Sequence, residues 1–363
     1  MTVNSDPIFD KVLFIGPQIK GAFGGIETVL QTYNRNIDKF HYLQTNSSHG
    51  FLAGLLYLAS TVVLMPVHRL AGRRIVHIHH ACGKSWIRKK LLFRWARLLG
   101  YRTVMHCHGG AFRMQVEKDG VENVRRLLSK ADAVIVLSKE WKDYFEDYLG
   151  LENVLILNNP IERVIPPVDM DVKYSRDVTP RFVFLGKLGK DKGVYDMLEA
   201  IRLLKNDGIT VDVAVGGNGE TDVFQQRVIE LGLNDCVHFL GWVSGEQKDR
   251  LLREREVLLL PSYFEGLPIC ILESMAYRQT VISTPVGGIP SIIESGKNGT
   301  LVSPGDAHAL ADAIRQYFDN PELARRHAEA SSNIIENFYV DKVMDRLAGI
   351  FNKLECGKGN KNQ

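Results

Sequence analysis

The sequence predicts an α/β protein of two doubly wound domains, each a parallel sheet covered by helices on both faces. Three observations predict it. Short apolar, β-branched runs alternate with helical patterns along the chain, as parallel strands buried on both faces require. The chain has 363 residues, enough for two domains of ordinary size. The stretch PIERVIPPVDMDVKYSRDVTP (160–180) is rich in Pro and Asp and has no hydrophobic period, which marks a linker. The domains are therefore expected at 1–165 and 175–335.

In the first half the strands are expected at KVLFIG (11–16), RIVHIHH (74–80), RTVMHCHG (102–109), DAVIVLS (132–138) and NVLILNN (153–159). The second half offers RFVFLGK (181–187), VDVAVGG (211–217), CVHFLG (236–241), EVLLLPS (256–262), TVISTP (280–285) and GTLVSP (299–304). The tail from about 333 reads as helix, and the closing GKGNKNQ as a frayed end. Ligands of such sheets bind beyond the carboxyl ends of the strands, and with two domains the cleft between them is the expected site.

Composition bounds the class. Charged residues at 24% and hydrophobic residues at 45% are ordinary for a globular protein. The five cysteines are scattered and form no CxxC, which argues for a reducing compartment and against a disulfide scaffold. MTVNSDPIFDKVLF lacks a charged region followed by an apolar one, so a cytoplasmic chain is expected. From Lys39 to Val116 there are 12 Lys and Arg and no carboxylate, a docking surface for anionic lipid or a phosphorylated substrate.

The most informative segment is PSYFEGLPICILESMAYRQTVISTPVGGIP (261–290). Glu265 stands where an apolar strand enters a turn, Gly266 permits close backbone approach, and Pro268 suits the first turn of a helix. Glu273 then lies within that helix. A helix N-terminus between two carboxylates can hold a diphosphate while the carboxylates accept hydrogen bonds from hydroxyls. A nucleotide sugar offers both groups. A glycosidase places its two carboxylates roughly 5–10 Å apart across the bond it cuts. Eight helical residues rise about 12 Å, so that reading is disfavoured. The plain alternative is a strand–loop–helix unit with two solvent-facing glutamates.

The Glu-x7-Glu element, with GLP after its first Glu and TPVGGIP following, resembles the retaining GT-B glycosyltransferases of family 4 (group 1), of the bacterial surface-polysaccharide type. The likeness runs from about Lys11 to the C-terminal helix. It implies a GT-B fold with an interdomain cleft, an acceptor-binding first domain, a donor-binding second domain, and a helix at about 340–357 crossing back onto the first. It also implies that Glu265 contacts the donor sugar hydroxyls, that Glu273 contacts the ribose, and that the backbone at Gly266 and Leu267 lies against sugar and phosphate.

In FLGKLGKDKGVYDMLEAI (184–201), Lys187, Lys190 and Lys192 cluster where a phosphate would sit. Lys187 and Lys192 match the family's basic pair, with Lys in place of the more common Arg, a point charge without a bidentate fork. The resemblance places Gly217 of AVGGNGE near the nucleotide and the backbone at Val243 near the base, with Lys248 in reach of that base. Ser291 stands where many relatives have Glu, so no role is assigned there. In FIGPQIKGAFGGIETVLQTY (14–33), Gly24 and Gly25 match glycines that bring amides to diphosphate and acceptor. The loop is not GxGxxG and lacks an acidic ribose partner, which disfavours a dinucleotide site. A glycine turn alone is the plainer reading.

His108 matches a family His near the transferred sugar. His77 and His79 share one strand face, and His106 and His108 share another. Four imidazoles could bind zinc, but the resemblance implies no metal, and histidines on core strands are often merely packed.

GKSWIRKKLLFRWARLLG (83–100) has Ile87, Leu91, Leu92, Trp95, Leu98 and Leu99 on one helical face. Lys89, Lys90, Arg94 and Arg97 fall largely opposite, with Trp86 and Phe93, a combination suited to a membrane interface. FLAGLLYLASTVVLMP (51–66) before it is apolar all round and short of the roughly 20 residues of a span, so it is either buried or dipped into a bilayer. A core helix followed by a solvated helix is the alternative for this pair.

The expectation is a retaining hexosyltransferase using a UDP- or GDP-sugar, without metal or other cofactor and without nucleic acid. Its acceptor is a polyprenyl-diphosphate-linked or other glycan in surface polysaccharide (lipopolysaccharide or capsule) biosynthesis. The chain would act as a peripheral protein on the inner face of the cell membrane, attracted by anionic lipid. A sugar-nucleotide epimerase of the same fold and a non-catalytic membrane-binding scaffold are the alternatives.

Overall fold

A computed structural model describes residues 6–19, 21, 24–48, 50–175 and 180–357. All of GKGNKNQ but its first residue lies outside them, as do Lys20, Ala22 and Phe23 of the first glycine loop and 176–179 of the linker. The chain divides into two compact units, Met1–Glu162 with Phe338–Gln363, and Arg163–Asn337.

The first unit has strands β1 (Val12–Gly16), β2 (Tyr42–Gln44), β3 (Ile75–His80), β4 (Arg102–Cys107), β5 (Ala133–Val136) and β6 (Val154–Ile156). They form one sheet in the order β2-β1-β3-β4-β5-β6, parallel throughout. Five of the six are the apolar runs expected from the sequence. The edge strand β2 escaped because three residues carry too little pattern. Helices α1 (Gly25–Asn36), α2 (Phe51–Leu70), α3 (Lys84–Leu98), α4 (Phe112–Asp119), α5 (Val121–Leu128) and α6 (Lys139–Asp143) make the crossovers. The C-terminal helix Val340–Cys356 also belongs to this unit, with the Phe351 ring edge-on to Phe9 and to His77.

The second unit has strands β7 (Phe182–Leu185), β8 (Val213–Gly216), β9 (Val237–Phe239), β10 (Val257–Leu260), β11 (Thr280–Ser283) and β12 (Thr300–Leu301), all six anticipated. Their order is β12-β11-β10-β7-β8-β9, again parallel throughout. Helices α7 (Met170–Lys173), α8 (Val194–Asn206), α9 (Thr221–Glu230), α10 (Gly245–Glu254), α11 (Ile269–Ala276), α12 (Ala307–Asp319) and α13 (Pro321–Ile335) surround it. The chain builds the sheet outward from β7 in one direction and then resumes at β10 in the other. The strand order therefore reverses between β7 and β10, where such sheets open a crevice for ligands.

Two expectations about α2 and α3 are corrected. α3 is rotated from its expected setting. Trp86, Lys89, Leu92, Phe93 and Ala96 face the core, while Ile87, Leu91 and Leu98 are exposed. The helical period allowed either stripe. The buried stripe carries two aromatics, Trp86 and Phe93, and its one polar member finds a partner. The Lys89 ammonium donates to Thr45 Oγ1, whose hydroxyl donates to the Gly16 carbonyl at 2.8 Å. Lys89 is wholly buried, and desolvation drives its pKa well below that of a free lysine. It is therefore no part of a cationic outer face.

α2 runs twenty residues, past Pro66 rather than ending there. Pro66 has no N–H to give the Val62 carbonyl four residues back. The Trp95 indole supplies one instead, at 3.0 Å. Thr61 Oγ1 donates to the Gln44 carbonyl at 2.7 Å and Tyr101 OH to the Met65 carbonyl at 2.6 Å. Replacing Trp95 by Phe leaves the Val62 carbonyl without its donor and is expected to destabilise the first unit by about 1–3 kcal/mol. Urea unfolding followed by circular dichroism measures this, and an unchanged midpoint would refute the role given to the indole.

Candidate active site at the strand-order reversal of the second unit

The loops after β7 and β10 meet at the reversal point and are fastened to each other by backbone. Tyr263 N–H donates to the Asp191 carbonyl at 2.9 Å. Gly193, at φ +65°, lies so close to the Pro261 carbonyl that a Cβ would collide with it. The loop after β11 closes the other side. Gly288 N–H donates to the Gly266 carbonyl at 2.7 Å, and Gly287, at φ +57°, sits where a Cβ would strike the Glu265 carbonyl. That is the physical need for the first glycine of the TPVGGIP pair.

This frame places Glu265 in a buried position and leaves its Oε1 with two donors, Lys192 Nζ at 2.5 Å and Ser262 Oγ at 2.8 Å. Glu273, in the second turn of α11, receives Lys248 Nζ from α10 on both carboxylate oxygens at 2.6 Å. Sequence reasoning named all four of these charged residues but not their pairing. Ser262 was missed, and nothing in PSYFEG singles it out. Pro268 is the N-cap rather than an interior first-turn residue. Gly266 and Leu267 lie between Glu265 and that helix start.

Lys187 is exposed and has no ion pair among the described residues, its stem running beside Gly219. Lys190 is exposed as well. Of the three lysines, Lys192 alone pairs with Glu265 among the described residues. Gly217 packs against the Gly186 carbonyl with no room for a Cβ, and its N–H donates to Gly241 at 2.7 Å. Val243 is buried against Gly216. Apart from Gly25, which lies in the first unit, the residues expected at the donor all lie on loops at the carboxyl edge of one sheet or on the helices that begin there.

In the first unit, Gly24 is the N-cap of α1 and Gly25 its first residue, with open space around the Gly25 Cα. His77, His79, His106 and His108 converge on one face of β3 and β4, because His79 is in register with His106. His79 Nδ1 lies 2.9 Å from His108 Nε2, and His77 Nε2 lies 3.1 Å from His106 Nδ1. His77 Nδ1, His79 Nε2 and His106 Nε2 are buried without hydrogen-bond partners among the described residues. Ring nitrogens of His77, His79 and His106 fall within 4.8 Å of one another, so this trio could hold a metal ion. Burial pushes His77 and His80 down to about 3 and holds His79, His106 and His108 well below the usual imidazole range.

Residues 169–333 match the family "Glycosyl transferases group 1". The chain is 27% identical over 297 residues to alpha-D-kanosaminyltransferase of Streptomyces kanamyceticus, covering 76% of this chain and 77% of that one. It is 28% identical over 293 residues to the amylovoran biosynthesis glycosyltransferase AmsK of Erwinia amylovora, covering 74% and 68%. Among solved structures, sucrose-phosphate synthase from Thermosynechococcus elongatus superposes with a TM-score of 0.78 at 18% identity, over 95% of this chain and 98% of that one. Anabaena Alr3699/HepE in complex with UDP gives 0.72 at 18%, over 94% and 100%. Those likenesses show the fold, a two-unit α/β architecture of GT-B type.

The buried imidazoles set an acid limit. A histidine neutral in the fold at pKa about 3, but titrating near 6.5 when unfolded, binds more protons in the unfolded state between those values. Stability is therefore complete above pH 6.5 and falls as pH drops, by about 1.4 kcal/mol per pH unit for each such group. The first unit is expected to lose stability steeply between pH 6 and 4, read as urea midpoints across that range. His80→Phe should flatten the slope, and an unaltered slope would refute the assignment.

Proposed function

Since residues 169–333 match the group 1 glycosyl transferase family, we propose that this chain moves a hexose from a UDP- or GDP-sugar to a glycan acceptor, retaining the anomeric configuration. The observation that carries the reading is the Lys192–Glu265 pair at the strand-order reversal, with Lys248–Glu273 on the helices beside it. Each pair holds a carboxylate ready to accept hydroxyl hydrogen bonds and an ammonium ready to meet phosphate.

When donor binds, Glu265 takes sugar hydroxyls and Glu273 the ribose hydroxyls. Lys192, with Lys187 and the N-terminus of α11, neutralises the diphosphate as it departs and positive charge develops on the sugar. This is electrostatic preorganisation, and it needs no metal. Gly217, Val243, Gly266 and Leu267 supply the close backbone walls. Acceptor contacts come from the first unit, at Gly24, Gly25 and His108.

The acceptor is a polyprenyl-diphosphate-linked glycan of a surface polysaccharide, met at the inner face of the cell membrane. AmsK, a relative named for amylovoran biosynthesis, and the acid-free stretch from Lys39 to Val116 support that reading.

Purified protein with UDP-, GDP- and ADP-sugars tests the donor site by thermal shift. One nucleotide family should stabilise it, and Glu273→Ala should weaken that binding by roughly 10–100-fold, as loss of a charge-assisted hydrogen bond does. Lys192→Met should keep binding within a few-fold and lower kcat for transfer or slow donor hydrolysis by about 10²–10³. No shift with any nucleotide would remove the transferase reading and favour a scaffold. Conversion of the sugar nucleotide without acceptor would favour an epimerase.

A further inference from the structure

α2 is long and apolar enough to cross a membrane, with mean hydropathy 1.8 over its best window, yet only 11% of that window is buried. Phe51, Leu52, Leu56, Val63 and Leu70 are each more than two-thirds exposed. The outer face of α3 adds Ile87, Leu91 and Leu98. A surface this apolar calls for a cover. α2 is not free to thread a bilayer. Three hydrogen bonds, from Thr61, Trp95 and Tyr101, tie its second half to the rest of the first unit, and Thr61 and Met65 are buried there.

Beside α3 lies a groove of about 680 Å³ lined by Lys90, Arg94, Arg97, Arg126 and Lys130. Its one carboxylate, Asp119, is already held by Lys90 Nζ at 2.7 Å, Trp86 Nε1 at 2.8 Å and Gln115 Nε2 at 3.0 Å. Arg94 and Lys130 have no ion pair among the described residues. Arg94 is three residues from Leu91 and four from Leu98, so it adjoins the apolar face on the helix surface. The cationic groove therefore borders the apolar ridge directly.

We infer that α2 and the outer face of α3 lie in the plane of an anionic bilayer, with the lipid phosphates received by the α3–α5 groove. Apolar side chains enter the headgroup–acyl boundary while cations stay at phosphate level, the arrangement of an interfacial helix. Charge complementarity selects the occupant, because the 78 residues from Lys39 to Val116 present no acid to an anionic surface. The inference deepens the membrane-face reading above, but it stands on the first unit alone and needs no donor sugar.

The test is flotation of the full chain with vesicles of phosphatidylcholine, and of phosphatidylcholine and phosphatidylglycerol in equal parts. Wild type should float with the anionic vesicles far better than with the neutral ones. Arg94→Ser/Arg126→Ser/Lys130→Ser should bind the anionic vesicles on the order of a hundredfold more weakly, near fivefold per cation. Leu52→Ser/Leu56→Ser should stay unbound to both. Retained thermal melting and donor-nucleotide shift in each variant show that the fold and the donor site survive, so failure here is separate from failure of the transferase reading. Wild type that does not float, or variants that float like it, would overturn the proposal. So would a wild-type dimer that the leucine variant converts to monomer, since a second copy would then cover α2.

Discussion

Every strand in both sheets runs parallel to its neighbours, and the rest of the protein follows from that constraint. A parallel strand cannot be joined to the next by a tight turn, so the chain returns each time through a crossover, mostly helical. All carboxyl ends then lie on one edge of a sheet, and all loops leaving them share that edge. In the second unit the strand order reverses between β7 and β10, the place where such sheets form a ligand crevice, and the loops that follow them are fastened to each other there. Lys192 comes to it from one loop and Glu265 from the other. The glycines at 193 and 287 permit the close backbone contacts that hold this crevice in shape. The site is thus a consequence of topology, trimmed by a few positions that admit no Cβ.

Charge is handled differently in the two units. In the second unit the buried or half-buried carboxylates Glu265 and Glu273 each face a lysine, so partners are in place before any ligand arrives. In the first unit the buried imidazoles escape the penalty by staying neutral. Four imidazoles share one sheet face as two hydrogen-bonded pairs, and Lys89 sits within the core on a threonine hydroxyl. Imidazoles held neutral avoid the large desolvation penalty of an unpaired ion. The Lys192 and Lys248 ammoniums, in contact with both carboxylates and solvent, are the ones placed to serve an anionic ligand.

The first unit's outer helices show how one proline affects a surface. Pro66 leaves a carbonyl without its helical donor, and the Trp95 indole that satisfies it fixes α2 against α3. With α2 fastened lengthwise, its apolar residues are spread over the exterior rather than folded inward. The same rotation of α3 that buries Trp86 and Phe93 turns Leu91 and Leu98 outward beside Arg94. Core packing and surface character are in this way two sides of one choice of helix face.

The sequence by itself determined the fold class, because uninterrupted apolar runs between helical segments have few solutions other than parallel sheets, and eleven of the twelve strands were legible as such runs. It also pointed to Glu265 and Lys192, charged residues beside glycines on loops that follow apolar strands, and to Glu273 in the helix after Pro268, while Lys248 came from the family resemblance. Tertiary structure decided who meets whom. Lys192 and Glu265 are separated by 73 residues and Lys248 and Glu273 by 25, and no local period encodes such pairs. It also decided the face of α3. Helical spacing offered two stripes, and only packing against β3 and β4 chose the one that buries Lys89. The convergence of four histidines depended on register: strand alternation puts two on each strand's face, and the pairing of His79 with His106 brings those faces together.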